Sequence, residues 1–235
     1  MEEEKEEETA EEAEETEGAE DAEDNSNQKT IGPRAVSPNY YITPMNPKKF
    51  TKGTLFGNKV CFGKTFDQDL DGKIIIYEDR VKGWFLDHAK TLIKEQHADF
   101  VVLMICTSHL EGNQQFKEGQ SSKIGSSEVI KRALKSIFSI PEEKDSILDL
   151  FVNEVRNGFF HEGMTRNFVS INRNFEQPIS ISEDFGGMIK INPILFLWVI
   201  EEDFKEYIIN LRNLNNEELR ENFEKQWEER HKIEV

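Results

Sequence analysis

The spacing of apolar positions predicts a mostly helical domain over the C-terminal two-thirds of the chain. Residues 77–96 place an apolar side chain every three or four positions, as one face of a helix requires. The stripe predicted by this spacing consists of Val81, Trp84, Phe85, His88 and Leu92. Residues 98–112 are nearly all apolar, and they predict a buried central helix that ends at Gly112.

Three further segments have helical patterns. Residues 127–138 follow a serine that suits a helix start, and residues 192–213 form the last long helix. Residues 141–162 open with a proline and acidic residues, which are favourable in a first helical turn. Their predicted core face consists of Leu148, Phe151, Val155 and Phe159. Residues 178–193 alternate around a Gly-Gly pair and predict a short β-hairpin.

The N-terminal third has a different composition. Residues 1–28 are a Glu-rich, low-complexity tract that we expect to be disordered, and the scattered prolines of residues 29–56 predict an extended linker. Residues 57–77 predict a β-hairpin or a metal-binding loop that leads into a helical domain at 78–235. The expected fold is all-α, a bundle of four to five helices with one or two small β-hairpins behind a disordered acidic tail.

The net charge of −17 comes mainly from this tail. Residues 1–24 hold 15 acidic residues and one lysine, which leaves 31 acidic and 28 basic residues in the rest of the chain. The two cysteines do not suggest a disulfide framework, the first residues lack the basic and apolar start of a signal peptide, and the apolar runs are too short to span a membrane. We therefore expect a cytoplasmic protein without a membrane partner.

The stretch VRNGFFHEGMTR, residues 155–166, holds the strongest candidate chemistry. On a helix, Asn157 and His161 share a face and Arg156 borders it, while Gly163 is a plausible terminator. An arginine that holds a phosphate and a histidine that transfers protons near neutral pH are together suited to phosphodiester cleavage. The alternative is that His161 caps a backbone carbonyl and Arg156 pairs with an acid such as Glu162.

The letters RNGFFH at 156–161 resemble the signature of HEPN domains, which is an arginine, four to six residues and a histidine, often with a polar residue after the arginine. The flanking segments WFLDHAKTLI and ADFVVLMICTSHLEG also resemble uncharacterised bacterial proteins that belong with this superfamily. The resemblance covers about residues 78–212 and implies a helical bundle with the motif towards the end of one helix.

This resemblance implies a metal-independent endoribonuclease of the toxin–antitoxin or phage-defence type. Two copies would pair with their motifs facing each other, and the RNA 2′-hydroxyl would attack to leave a cyclic phosphate. By the resemblance, His161 is the acid and base, Arg156 binds the scissile phosphate, and Asn157 orients one of them. Glu111 and Glu162 are candidates to support them. An antitoxin or defence protein is the expected partner, DNA is not, and the alternative function is non-catalytic binding or scaffolding.

A second motif, DQDLDGKIIIYE, has the spacing of an EF-hand calcium loop. Asp67, Asp69, Asp71, Gly72 and Glu78 occupy loop positions 1, 3, 5, 6 and 12. Glycines and β-forming residues precede the loop where a helix should enter, and the chain has no second hand. A calcium-binding module is therefore a further alternative, beside a β-hairpin with an acidic turn.

Overall fold

The structure is a computed structural model, and it describes residues 34–43, 54–57, 61–65, 70–120, 125–140, 145–182 and 187–231. The chain is mostly helical, as the sequence predicts, with two small sheets. The acidic tail at 1–28 lies outside the described residues. None of the helices within the described ranges is both long and apolar enough to cross a membrane.

The first sheet has four antiparallel strands in the order β1-β2-β3-β4. The strands are β1 Arg34–Ser37, β2 Tyr40–Thr43, β3 Thr54–Gly57 and β4 Cys61–Thr65. Three of them fall in the predicted extended linker. Most of their residues are β-formers, and the only proline among the residues described there, Pro38, lies in the β1–β2 turn, where it interrupts no strand pairing.

The chain then forms a long helix, which consists of α1 Leu70–Val81, a π-helical segment Lys82–Leu86, and α2 Asp87–Leu92. The predicted hairpin or loop at 57–77 is therefore helical from Leu70 onwards. The KIIIY run that favours a strand in isolation is buried inside the bundle, where Ile74 and Ile76 are almost fully enclosed. Tertiary burial outweighs the weak local preference for a strand.

The π-helical segment shifts the buried face of this helix. Val81 is buried as predicted, but Trp84 and Phe85 are 43% and 42% exposed. Leu86 and Ala89 are buried in place of Phe85 and His88, one position further along the chain. A π turn holds one more residue than an α turn, so every later position on the core face moves by one.

Helix α3, Asp99–Glu118, runs through the bundle centre and continues past the predicted end at Gly112. Asn113 and Phe116 are buried beyond that glycine, so packing favours continuation of the helix. The helix ends at Gly119, whose φ of 61° is a left-handed conformation that glycine adopts without strain.

The remaining elements surround α3. They are α4 Ser126–Ile137, α5 Ser146–Leu150, a π-helical segment Phe151–Arg156, α6 Asn157–Glu162, β5 Val169–Ile171, β6 Ile179–Ser182, β7 Met188–Ile191, α7 Pro193–Arg212 and α8 Glu217–His231. Strands β6 and β7 pair as the predicted hairpin, and β5 adds a parallel strand that was not predicted. The Asn192 side chain caps α7 by accepting from two backbone N–H groups.

Candidate functional site

The motif residues lie at the C-terminal end of the helix formed by α5, the second π-helical segment and α6. Val155 and Phe159 are buried, as the helical pattern predicts. Arg156 and Asn157 are half-buried, and His161 is exposed in the last turn. Gly163 ends α6 in the left-handed region with φ 75°, also as predicted. The described helix end thus separates a core face from a polar face.

The guanidinium of Arg156 is held by three polar groups from three parts of the chain. Its Nη1 donates to Asn157 Oδ1 at 3.1 Å, and its Nη2 donates to Ser126 Oγ at 3.1 Å. The same Nη2 lies 3.5 Å from Glu111 Oε2, the longest of these contacts. The Nε atom is buried without a hydrogen-bond partner within the described residues. Arg156 is therefore anchored, and its longest contact is the one with a carboxylate.

Phe160 covers one side of this arginine. The guanidinium carbon of Arg156 lies 5.1 Å from the centre of the Phe160 ring, a cation–π distance. Phe160 is 48% exposed, so the ring shields the guanidinium while much of its own surface faces solvent. Helical geometry brings the two together, because they are four residues apart.

The segment after α6 folds back against the helix. The backbone N–H of Arg166 donates to the carbonyl of Glu154 at 2.8 Å, and the Arg166 side chain donates to the carbonyl of Asn153 at 3.0 Å. Gly158 is buried beneath this return segment, where a Cβ atom would collide with the carbonyl oxygen of Met164. The return segment thus holds the motif helix in place.

The two predicted supporting acids differ in position. Glu111 contacts Arg156, although it lies within α3 and not at its end. Glu162 instead forms an ion pair with Arg166 at 2.6 Å. In the part of the chain that the structure describes, the imidazole of His161 has no hydrogen-bond partner. The structure therefore joins Arg156, Asn157 and Glu111, and it leaves His161 facing solvent.

Two further residues of the site, Ser126 and Phe160, were not predicted. Ser126 is the first residue of α4 and lies 30 positions before Arg156, so no local pattern links them. Phe160 stands four residues after Arg156 in a helix, and this spacing is the signal from which the contact was predictable. Both increase the number of groups around the guanidinium.

The calcium-loop residues are only partly described. Asp67 and Asp69 lie outside the described residues, whereas Asp71 and Glu78 both lie on α1. Asp71 accepts from Arg220 at 3.1 Å, and Glu78 pairs with Lys82 and Arg212. Among the residues with described side chains, no three His, Cys, Asp or Glu groups are close enough to hold a metal ion.

A separate groove of about 480 Å³ lies between α3, α4, α7 and α8. Two of its carboxylates, Glu202 and Asp203, are paired with Lys205 at 3.3 Å and Lys117 at 2.6 Å. It shares no lining residue with the surroundings of Arg156. The groove is thus distinct from the motif site.

Comparison with known proteins finds no relative of this chain. The chain matches no protein-family model, no curated protein and no solved structure.

Proposed function

We propose that this protein is a metal-independent endoribonuclease with a HEPN-like helical domain. The observation that carries the proposal is that Arg156, Asn157 and His161 occupy fewer than two helical turns at the C-terminal end of the motif helix, with His161 exposed in the last turn. Arg156 also lies beside the first residue of α4, and a helix N-terminus adds partial positive charge that favours a phosphate.

The proposed reaction needs one phosphate-binding group and two proton transfers. The RNA 2′-oxygen attacks phosphorus, the bond from phosphorus to the 5′-oxygen breaks, and a 2′,3′-cyclic phosphate and a 5′-hydroxyl are formed. An imidazole accepts the 2′-hydroxyl proton, and an imidazolium donates a proton to the departing 5′-oxygen. In the proposed homodimer, His161 of each copy supplies one of these groups, while Arg156 stabilises the charge on phosphorus.

One observation favours a second function, which is non-catalytic RNA binding or scaffolding. Arg156 is only 19% exposed, and Glu111, Ser126 and Asn157 already accept from its two Nη atoms. An arginine in this position can serve to fix the helix end. A phosphate that approaches Nη2 of Arg156 competes with Glu111, whose contact at 3.5 Å is the longest of the three.

The test is cleavage of end-labelled RNA by the full chain in EDTA. The proposal expects products ending in cyclic phosphate, with at least a hundredfold loss in Arg156→Ala and in His161→Ala, as is typical for removal of a proton-transfer or charge-stabilising group. His88→Ala is the matched control, because His88 is another exposed histidine, on α2. Equal inactivity of wild type and variants on diverse RNAs would refute the nuclease, and retained RNA binding would then support the second function.

A further inference from the structure

Phe160 combines exposure with a fixed orientation. A single exposed apolar side chain is common on protein surfaces and has no meaning by itself. Phe160 differs from an isolated case because the Arg156 guanidinium lies over its ring at 5.1 Å. Its neighbour in sequence is His161, and both side chains are exposed in the last turn of the same helix.

We infer that Phe160 is the surface on which an unpaired RNA base stacks beside the cleaved phosphate. This inference rests on the proposed function. A base has a flat π face, and aromatic side chains bind such faces with little dependence on the base. Since 48% of Phe160 is open to solvent, the residue has room for a base while it keeps its contact with Arg156.

The arrangement selects single-stranded RNA. A base in a duplex is already stacked on its neighbours, and a protein ring cannot reach its face unless the base leaves the helix. The phosphate of the same nucleotide would lie near Arg156, so one residue would place the base and the other its backbone. Phe160 is thereby a positioning residue for the scissile bond.

Among the other half-exposed aromatic residues, Trp84 also has an arginine over its ring, Arg80 at 5.9 Å, but it lies on the first π-helical segment and not on the motif helix. Phe85 is 42% exposed but lies on the first π-helical segment, away from the motif helix. Phe100 is 43% exposed, and its ring packs edge-on against Phe159. Phe85 thus offers a control of matched exposure and identical chemistry.

The experiment measures binding apart from cleavage. Fluorescence anisotropy in EDTA follows a short labelled RNA whose 2′-hydroxyls are methylated, so that no 2′-oxygen can attack phosphorus. The variants are Phe160→Leu, Phe160→Trp and Phe85→Leu, with folding checked by circular dichroism. We expect Phe160→Leu to weaken single-strand binding about 5- to 150-fold, Phe160→Trp to restore it, and Phe85→Leu to match wild type.

A second arm locates the base. One abasic site is moved along the RNA, and the most damaging position in wild type should cause no further loss in Phe160→Leu, because both changes remove one stack. Equal binding by Phe160→Leu and wild type, an equal loss in Phe85→Leu, or no RNA binding would overturn the inference. Cleavage of natural RNA without dependence on Phe160 would leave the nuclease intact and reject stacking. Binding that depends on Phe160 but leads to no cleavage would support stacking and reject the nuclease.

Discussion

Gly158→Ala tests the packing that holds the motif helix. A Cβ atom at this position would collide with the carbonyl oxygen of Met164 and lie 3.1 Å from both the Arg166 nitrogen and the Thr165 Cα. All three neighbours are backbone atoms, which cannot rotate away. The return segment therefore has to move, and the hydrogen bond from Arg166 N–H to the Glu154 carbonyl is weakened with it.

The expected magnitude follows from opposing contributions. Overpacking costs about 1–3 kcal/mol, and loss of the hydrogen bond costs about 1 kcal/mol. Alanine has a higher helix propensity than glycine, which offsets about 1 kcal/mol. The free energy of unfolding should therefore fall by about 1–3 kcal/mol. With a denaturant dependence of about 1–3 kcal/mol per M, the urea midpoint falls by on the order of 1 M.

The assay is urea unfolding followed by circular dichroism and by fluorescence of Trp227, which is 2% exposed. Gly112→Ala is the control. Gly112 lies in the middle of α3, and a Cβ atom added there would have no atom within 4 Å apart from its chain neighbours and the backbone of its own helix. This variant should raise stability by about 0.5–1 kcal/mol, opposite in sign to Gly158→Ala. A Gly158→Ala protein as stable as wild type, beside a stabilised Gly112→Ala, would refute the packing described for the return segment.

Three further predictions concern His109, Glu111 and Asp71. Burial and the nearby Lys117 lower the pKa of His109 to about 3 from 6.5, so the folded state binds fewer protons than the unfolded state and stability falls as the pH drops below about 6.5. Urea titrations should show about 2 kcal/mol lost from pH 7 to pH 5, and His109→Leu, unlike the exposed-site variant His88→Leu, should remove this slope; an unchanged slope would count against a buried neutral imidazole. Glu111→Gln should tighten RNA binding about 2- to 5-fold, because it removes the carboxylate that competes with phosphate, and anisotropy showing weaker binding would contradict this. Millimolar Ca²⁺ should leave the melting temperature unchanged, because Asp71 and Glu78 are already ion-paired; a rise abolished by Asp71→Asn would instead establish the calcium loop.

Apolar periodicity was sufficient to predict most of the helices and the core face of the motif helix, but not α8, which follows the helix predicted to be the last. It failed where tertiary packing outweighed the local preference of the sequence for a strand or for a helix end. The strand-like run at Ile74 is helical because it is buried in the bundle. Helix α3 continues through Gly112 because Phe116, beyond this glycine, is buried in the core. The stripe containing Phe85 was misplaced because a π-helical turn has no recognised signal in the sequence.

The candidate site was predictable to the extent that it is local. Arg156, Asn157 and His161 stand within six residues, and helical geometry alone places them at one end. The contacts of Arg156 with Glu111 and Ser126 join positions 45 and 30 residues apart, so they depend on how α3 and α4 pack. A single sequence contains no local pattern for such contacts, which explains why Ser126 was missed and Glu111 was only a candidate.

The π-helical segment before the motif also bears on how related chains should be recognised. In evolutionary terms, a π turn is a one-residue insertion in an α-helix, and a homologue can lack it. A chain one residue shorter between Phe151 and Arg156 would turn its arginine by about 100° around the helix, away from Glu111 and Ser126. Such a chain would keep the Arg-Asn-x-x-x-His motif but would lose the contacts of its arginine with the positions of Glu111 and Ser126. The length of the segment before the arginine is therefore as diagnostic of this site as the motif.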